Sequence, residues 1–386
     1  MPFIRTLLCT FFLFVICEQG FAEQKKFIGN YSSAFGENET LYNAKKFARE
    51  GARRNATDQA GLFIKSEVKV VDGTVESDII ETISAAIITV LYENVYYTIN
   101  NNQIFINVDA AVLIDTDDVG KKLNAVMQNK GVRDEIIQLK IQNNMLNEKL
   151  DRLSQELSRA KDEVEISKIS RERSDAFTQS RVNELTTKAW IALAGSTGSV
   201  LQGGSSSPEG RREARLSLEE AVGLDPNNGD LNRTFGILLM EEKQFAAAVE
   251  KLGIAIQAQP NLAQNHYTLG QALLLQNKNS EAMLAFNKAV ELDSNMWRAL
   301  NMLGVIWYEK GDIDNAINFY QKTTKMNPGC SEALYNLGIC YYSKKEYEMA
   351  LTVFRDYLQI ATKNPNEDKQ IIARADSLVT VIKHKL

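Results

Sequence analysis

Four glycines spaced 34 residues apart constrain this 386-residue chain more than any other feature in it. They are Gly236, Gly270, Gly304 and Gly338. Twelve residues after each comes an alanine: Ala248, Ala282, Ala316 and Ala350. Four further on stands a large side chain: Leu252, Phe286, Tyr320 and Phe354. Pro226, Pro260 and Pro328 punctuate the ends of the units. A fixed period of this length marks a stack of supersecondary units, each burying its apolar face against the next. The spacing suits two antiparallel helices per unit. Small residues sit where the helices cross closely, the large one fills the space beside them, and proline stops the second helix.

The stretch "ALNMLGVIWYEKGDIDNAINFYQKTTKMNP" resembles the tetratricopeptide repeat at nearly every signature position. In phase with it are units at 229–262, 263–296, 297–330 and 331–364. An irregular unit at 185–228 precedes them, with Trp190, Leu193 and Ala194 in its first helix and Ala214, Leu218 and Ala221 in its second. The Gly/Ser-rich "GSTGSVLQGGSSSPEG" between those helices reads as a flexible insertion. It lacks the Lys-Ser or Lys-Thr of a phosphate-cradling loop. Residues 366–386 have helical apolar spacing and suit a cap for the open end of the stack.

The resemblance implies a concave surface lined by the first helix of each unit, with the second, fifth, ninth and twelfth positions facing a ligand. Carried over one by one, these are Asp230, Arg233, Ile237 and Met240, then Gln264, Tyr267, Gln271 and Leu274. The third unit supplies Arg298, Asn301, Val305 and Tyr308, and the fourth Glu332, Tyr335, Ile339 and Tyr342. Tyrosines beside aliphatic residues suit a peptide or helix with apolar anchors. The Lys/Asn set with which some members of the family clamp a terminal carboxylate is missing.

Residues 24–115 read as a small α+β domain. In "ETLYNAKKFAREGARRNATDQAG", Ala44, Ala48, Ala52, Ala56 and Ala60 recur every four residues, a small-residue stripe along a helix. Gly61 can end that helix, after which "LFIKSEVKVV" reads as a strand and residues 77–90 as a second helix. "NVYYTIN" and "QIFINVDAAVLI" alternate as strands, with a tight turn at Asn101 and Asn102. The stretch "AREGARRNATDQAGLFIKSE" resembles the N-terminal domain of the flagellar outer-membrane protein FlgT and of related small outer-membrane lipoproteins. That implies a bacterial envelope setting and peripheral outer-membrane association. The lipobox of the lipoproteins is absent here.

Between the two regions, at 131–166, Ile136, Leu139, Asn143, Leu146, Leu150, Leu153, Leu157, Ala160 and Val164 step by three and four, a narrow heptad seam. One asparagine at an a position can pair with its twin across a parallel dimer and select register and strand number. The expectation is a parallel coiled-coil homodimer, with a trimer as the next choice and an intramolecular helix pairing as the alternative. Glu135 would then reach Lys140 of the other chain.

The N-terminus, "MPFIRTLLCTFFLFVICEQGFAEQ", has one basic residue, a short apolar run, and Gly20 and Ala22 ahead of a cleavage point. It reads as a secretory signal peptide over 1–22, leaving no transmembrane span. Cys330 and Cys340 then remain, ten residues apart on a helical stretch and too distant to pair. A net charge of −5 gives no reason to expect nucleic acid. With only His266 and His384, and no carboxylate pair or metal-ligand cluster, the sequence offers no catalytic or cofactor site. The expected architecture is therefore multidomain: an α+β domain, a central parallel coiled coil and an all-α tetratricopeptide-repeat solenoid. The expected function is a non-enzymatic periplasmic adaptor or scaffold that binds partner proteins. The alternative is a structural component of a flagellar or secretion-type envelope assembly, with the N-terminal domain as the main contact.

Overall fold

The computed structural model describes residues 24–34, 41–67, 79–80, 82–83, 85–100, 103–160, 162–194, 206–363 and 367–386. The expected signal peptide, the turn at Asn101 and Asn102, and most of the Gly/Ser-rich insertion lie outside these residues. The chain divides into two compact units, residues 1–124 and 125–386.

The first unit is built on a three-stranded antiparallel sheet: β1 (Gln24–Ala34), β2 (Thr89–Asn100) and β3 (Gln103–Asp115), in the order β1-β3-β2. Helix α1 (Leu41–Glu67) lies on one face. Its alanine stripe is the reason it can lie so close: Ala44, Ala48, Ala52, Ala56 and Ala60 are all buried. The first three pack on Ile106, Val108 and Ala110 of β3. A methyl group on Gly29 of β1 would come within 2.2 Å of the α1 backbone at Ala52 and Ala56. Glu93 on β2 pairs with Arg49 at 3.5 Å and with Arg53, so one carboxylate of the sheet is shared by two of the helix's cations.

Three expectations need correction here. Helix α1 runs on through Gly61 to Glu67, so "LFIKSE" is helical rather than a strand; 68–71 fall outside the described residues. The reason is tertiary: Phe63 packs on Phe27 with ring centroids 5.6 Å apart, and that contact outweighs a glycine stop signal. The second helix covers described residues only between 79 and 87, because Thr89 already pairs with Leu113 in the sheet. Strand β1 was not expected at all.

The second unit is all-helical. After α2 (Thr116–Gln128), whose C-terminal end enters it, come α3 (Lys130–Arg159) and α4 (Glu163–Leu193). The continuous helix expected over 131–166 is interrupted at Ala160, where the backbone turns extended and α3 ends. Asp162 caps a new helix, and α4 packs back along α3. Asn183 of α4 donates to Gln142 of α3 at 3.2 Å. Ile136, Leu139, Leu150 and Leu153 are buried within this one chain, and Leu146 and Leu157 are half-buried. Val164 belongs to the next helix and is 76% exposed. The chain's own α4 thus covers part of the leucine seam. Asn143 keeps a buried Oδ1 without a hydrogen-bond partner.

The last turns of α4 and α5 (Pro208–Leu224) form the irregular first repeat, burying Trp190, Leu193, Ala214, Leu218 and Ala221. Four regular pairs follow: α6 (Gly229–Glu241) with α7 (Phe245–Ala258), and α8 (Ala263–Leu275) with α9 (Asn279–Leu292). Then come α10 (Trp297–Glu309) with α11 (Ile313–Met326), and α12 (Ser331–Ser343) with α13 (Tyr347–Ala361). The periodic glycines do what the sequence requires. A methyl group on Gly236, Gly270, Gly304 or Gly338 would lie 2.8, 2.6, 2.7 or 2.8 Å from Leu252, Phe286, Tyr320 or Phe354, respectively. The turn inside each pair is equally regular. Lys243, Asn277, Gly311 and Lys345 all have positive φ, between 60° and 79°. In each turn the following N–H bonds back to the carbonyl five residues earlier, as in Gln244 to Leu239 at 2.8 Å and Glu346 to Tyr341 at 2.9 Å. Helix α14 (Lys369–Lys383) closes the stack, with Ala375, Val379 and Ile382 buried on the last repeat.

Candidate functional site

Because one helix of each pair repeats in register, the fifth positions of α6, α8, α10 and α12 fall in a row: Arg233, Tyr267, Asn301 and Tyr335. The row is far from uniformly open. Arg233 is 3% exposed and Asn301 2%. Tyr267 is also buried: its ring packs 5.8 Å from Phe286, and its hydroxyl accepts from Gln271 Nε2 at 3.0 Å. Burial pushes its phenol well above the ordinary value, although the Arg298 charge nearby opposes the rise. Met240 is buried as well, while Ile237, Gln271, Leu274, Val305 and Ile339 are half-buried.

Accessible surface concentrates over the third and fourth repeats. Tyr308 is 39% exposed, and Arg298 is exposed with its guanidinium 4.6 Å from the Trp297 ring centroid. Glu332, Tyr335 and Tyr342 are half-buried. Tyr335 stands on a firm base, with ring centroids 6.0 Å from Phe354 and 5.4 Å from Tyr357. Asn301 among them keeps a buried Oδ1 with no partner. The charges alternate, Arg298 then Glu332, between aromatic rings.

Both ends of the row are engaged by the chain itself. At the first repeat, Arg233 donates two bonds to Glu135 of α3, at 2.8 and 2.7 Å, and one to Asp230 at 3.2 Å. Glu135 therefore meets a groove residue of its own chain. At the fourth repeat, Lys385 reaches the hydroxyls of Tyr342 and Tyr347 at 3.3 and 3.4 Å, and lies 5.1 Å from each ring centroid. Sequence position alone placed Arg233, Met240 and Tyr342 with the ligand-facing residues; the structure gives each of them an internal neighbour or burial instead. The acidic residue at 135 carried no signal that it would close on a residue nearly a hundred positions away.

The rest of the molecule supplies little chemistry. His266 contacts the Pro260 carbonyl at 2.8 Å through Nε2, a packing role. Cys330 and Cys340 are buried free thiols, pushed up by burial to about 11 and about 12. Among the described residues no group of three His, Cys, Asp or Glu side chains could hold a metal ion. No described helix is long and apolar enough to cross a membrane. A shallow cleft at Arg211, Arg215, Glu241, Glu242, Lys243 and Gln244 is lined by charges already paired, Arg215 with Glu242 and Glu241 with Ser206.

A family model described as tetratricopeptide repeat matches residues 233–296, 267–324 and 308–365. The C-terminal region of this chain therefore carries tetratricopeptide repeats, a class whose members mediate protein–protein interactions as adaptors and scaffolds and are generally non-enzymatic. Among solved structures the chain is similar to MamA, at 25% identity over 40% of this chain and 91% of that one, with a TM-score of 0.38. It is also similar to YrrB, described as a TPR protein with an unusual peptide-binding site, at 20% identity over 53% and 97%, with a TM-score of 0.38. PilF of Pseudomonas aeruginosa matches at 14% identity over 54% and 92%, with a TM-score of 0.43. No curated protein matches. The expected likeness of residues 24–115 to FlgT finds no support among these matches.

Proposed function

We propose that this protein is a non-enzymatic adaptor or scaffold of the bacterial envelope, exported across the inner membrane, that holds a partner protein in the open part of its repeat groove. The observation that carries the reading is the stretch of groove over the third and fourth repeats, exposed at Arg298 and Tyr308 and half-buried at Glu332 and Tyr335. Arg298, Tyr308, Glu332 and Tyr335 line it, with the buried, unpartnered Oδ1 of Asn301 among them. Aromatic rings set between opposite charges suit an extended peptide or helix with apolar anchors and mixed polar flanks. The repeats supply a rigid base for that surface.

A second reading, a component of a larger envelope assembly, rests on the N-terminal sheet. On the face away from α1, Ile28 and Tyr92 both pair with Ala111, and Tyr96 follows beside Asn107; the three are 47%, 40% and 46% exposed. Affinity capture from crosslinked envelopes separates the two, using the full chain as bait with its own N-terminus. The groove reading expects Tyr308→Ala with Tyr335→Ala to lose the principal partner and Tyr92→Ser with Tyr96→Ser to retain it. The reverse pattern would replace the adaptor with the assembly component.

A further inference from the structure

Arg233 occupies the fifth position of the first regular repeat, where the other three repeats have Tyr267, Asn301 and Tyr335. It is the only cation in that row, and two of its nitrogens are engaged by a helix that belongs to no regular repeat. The fork of its guanidinium meets both carboxylate oxygens of Glu135, at 2.8 and 2.7 Å. Asp230 takes a third bond at 3.2 Å and is itself approached by Gln259 Nε2 at 3.4 Å. A planar two-bond fit of this kind is how arginine recognises a carboxylate ligand.

As a structural brace the arrangement is a poor choice. Burying an ion pair costs desolvation that a pair of apolar side chains would avoid, and here Arg233 Nε remains buried with no partner at all. Nor does α3 rest broadly on α6. It packs along α4, and Arg233–Glu135 is its ionic link to the groove. Val132, Ile136 and Leu139 of the same helix are buried at 5%, 0% and 3%, so Glu135 reaches Arg233 from a packed helix.

We propose that Arg233 is a carboxylate-binding site at the head of the groove, closed in cis by the first turns of α3, and that a partner opens it. The opening partner is an acidic peptide presenting a carboxylate in place of that of Glu135. This rests on the groove reading, and extends the partner's path from the third and fourth repeats to the first. Glu135, tethered in the chain, competes at an effective concentration on the order of millimolar, so only a carboxylate held in the same geometry displaces it.

The test uses the full chain and a fluorescein-labelled peptide with the sequence of residues 130–145 as the probe. In the chain carrying Glu135→Gln, the peptide should bind about tenfold tighter than the same peptide carrying Glu135→Gln, because only the former restores the charged fork. The native chain should bind the probe about tenfold more weakly than the variant does. Adding Arg233→Gln to the variant should erase the preference between peptides. A folded Glu135→Gln chain that binds the two peptides equally, or neither, overturns the proposal and leaves the pair as permanent packing. If that variant does not fold, hydrogen exchange on the native chain decides. Faster exchange at 130–140 under saturating probe supports displacement, and unchanged exchange refutes it. Neither result depends on Tyr308 or Tyr335, so the latch and the partner-binding reading can fail separately.

Discussion

A single methyl group distinguishes two glycines of the repeat array. At Gly304 it would stand 2.7 Å from Cε1 of Tyr320, a buried ring that has no room to retreat. At Gly253, inside α7, it would meet nothing within 4 Å. Gly304→Ala should therefore destabilise the protein by about 1–3 kcal/mol through overpacking. Gly253→Ala should stabilise it by up to about 1 kcal/mol through helix propensity. Urea melts of the two variants should move in opposite directions, and equal shifts would contradict the crossing geometry. The buried thiols give a pH counterpart. Cys330 and Cys340 titrate near 9.0 when unfolded, and burial raises them to about 11 and about 12. Above the unfolded value the unfolded chain has lost protons that the folded one keeps, so unfolding gains and stability falls as pH rises. Burial of Tyr267, Tyr320 and Tyr357 acts in the same direction. The urea midpoint should fall from about pH 9, where the unfolded thiols begin to titrate, towards about pH 11, where the folded ones follow. A Cys330→Ser, Cys340→Ala chain should lose part of that slope.

At the scale of elements, the α3–α4 hairpin separates what the sequence could say from what it could not. The seam from Ile136 to Leu157 was legible as a buried stripe, because periodicity records which face is apolar. It does not record which helix covers that face, and a narrow seam suits a partner from the same chain as well as one from another. The break was hard to foresee for the same reason: Ala160 and Val164 continue the heptad spacing, while Asp162 caps a new helix. Asn143 now has a different meaning. Its Oδ1 is buried toward α4 without the twin amide that a parallel dimer would offer. Asn143→Val should stabilise the hairpin by about 1–3 kcal/mol, the cost of leaving such a group unpaired. The sedimenting mass should not change. A stability gain accompanied by a change in mass would restore the intermolecular seam. In the repeats, by contrast, the glycine, alanine and aromatic positions were all readable, because each is fixed by a close crossing. The matching period in φ was not. Of the four left-handed turn residues only Gly311 is glycine, and Lys243 and Lys345 give no sign of their backbone conformation.

For the whole molecule, a stack of repeats has two open ends, and each must be covered for the array to stay soluble. Helix α14 covers one of them. It buries Ala375, Val379 and Ile382 against a cluster that contains Phe354 and Tyr357, while Arg374, Asp376 and Lys383 face outward. Ending the chain after Lys363 would return that cluster to water. Burial of Val379 and Ile382 alone is worth about 1.5–3 kcal/mol each, so the loss should be about 3–6 kcal/mol. In a quasi-one-dimensional stack the effect should be graded along the chain. Hydrogen exchange should accelerate most in α12 and α13, less in α10 and α11, and least in α6 and α7, since each repeat touches only its neighbours. Lys385→Ala is the control: it removes the contact with Tyr342 and Tyr347 but leaves the buried face of α14 intact. It should leave the melting temperature unchanged while exposing Tyr342. If truncation and Lys385→Ala lower stability equally, the end of the solenoid is held by that exposed lysine contact rather than by apolar capping. If truncation accelerates exchange evenly from α6 to α13, the repeats fold as one cooperative block, and partner binding at the third and fourth repeats would be felt at Arg233.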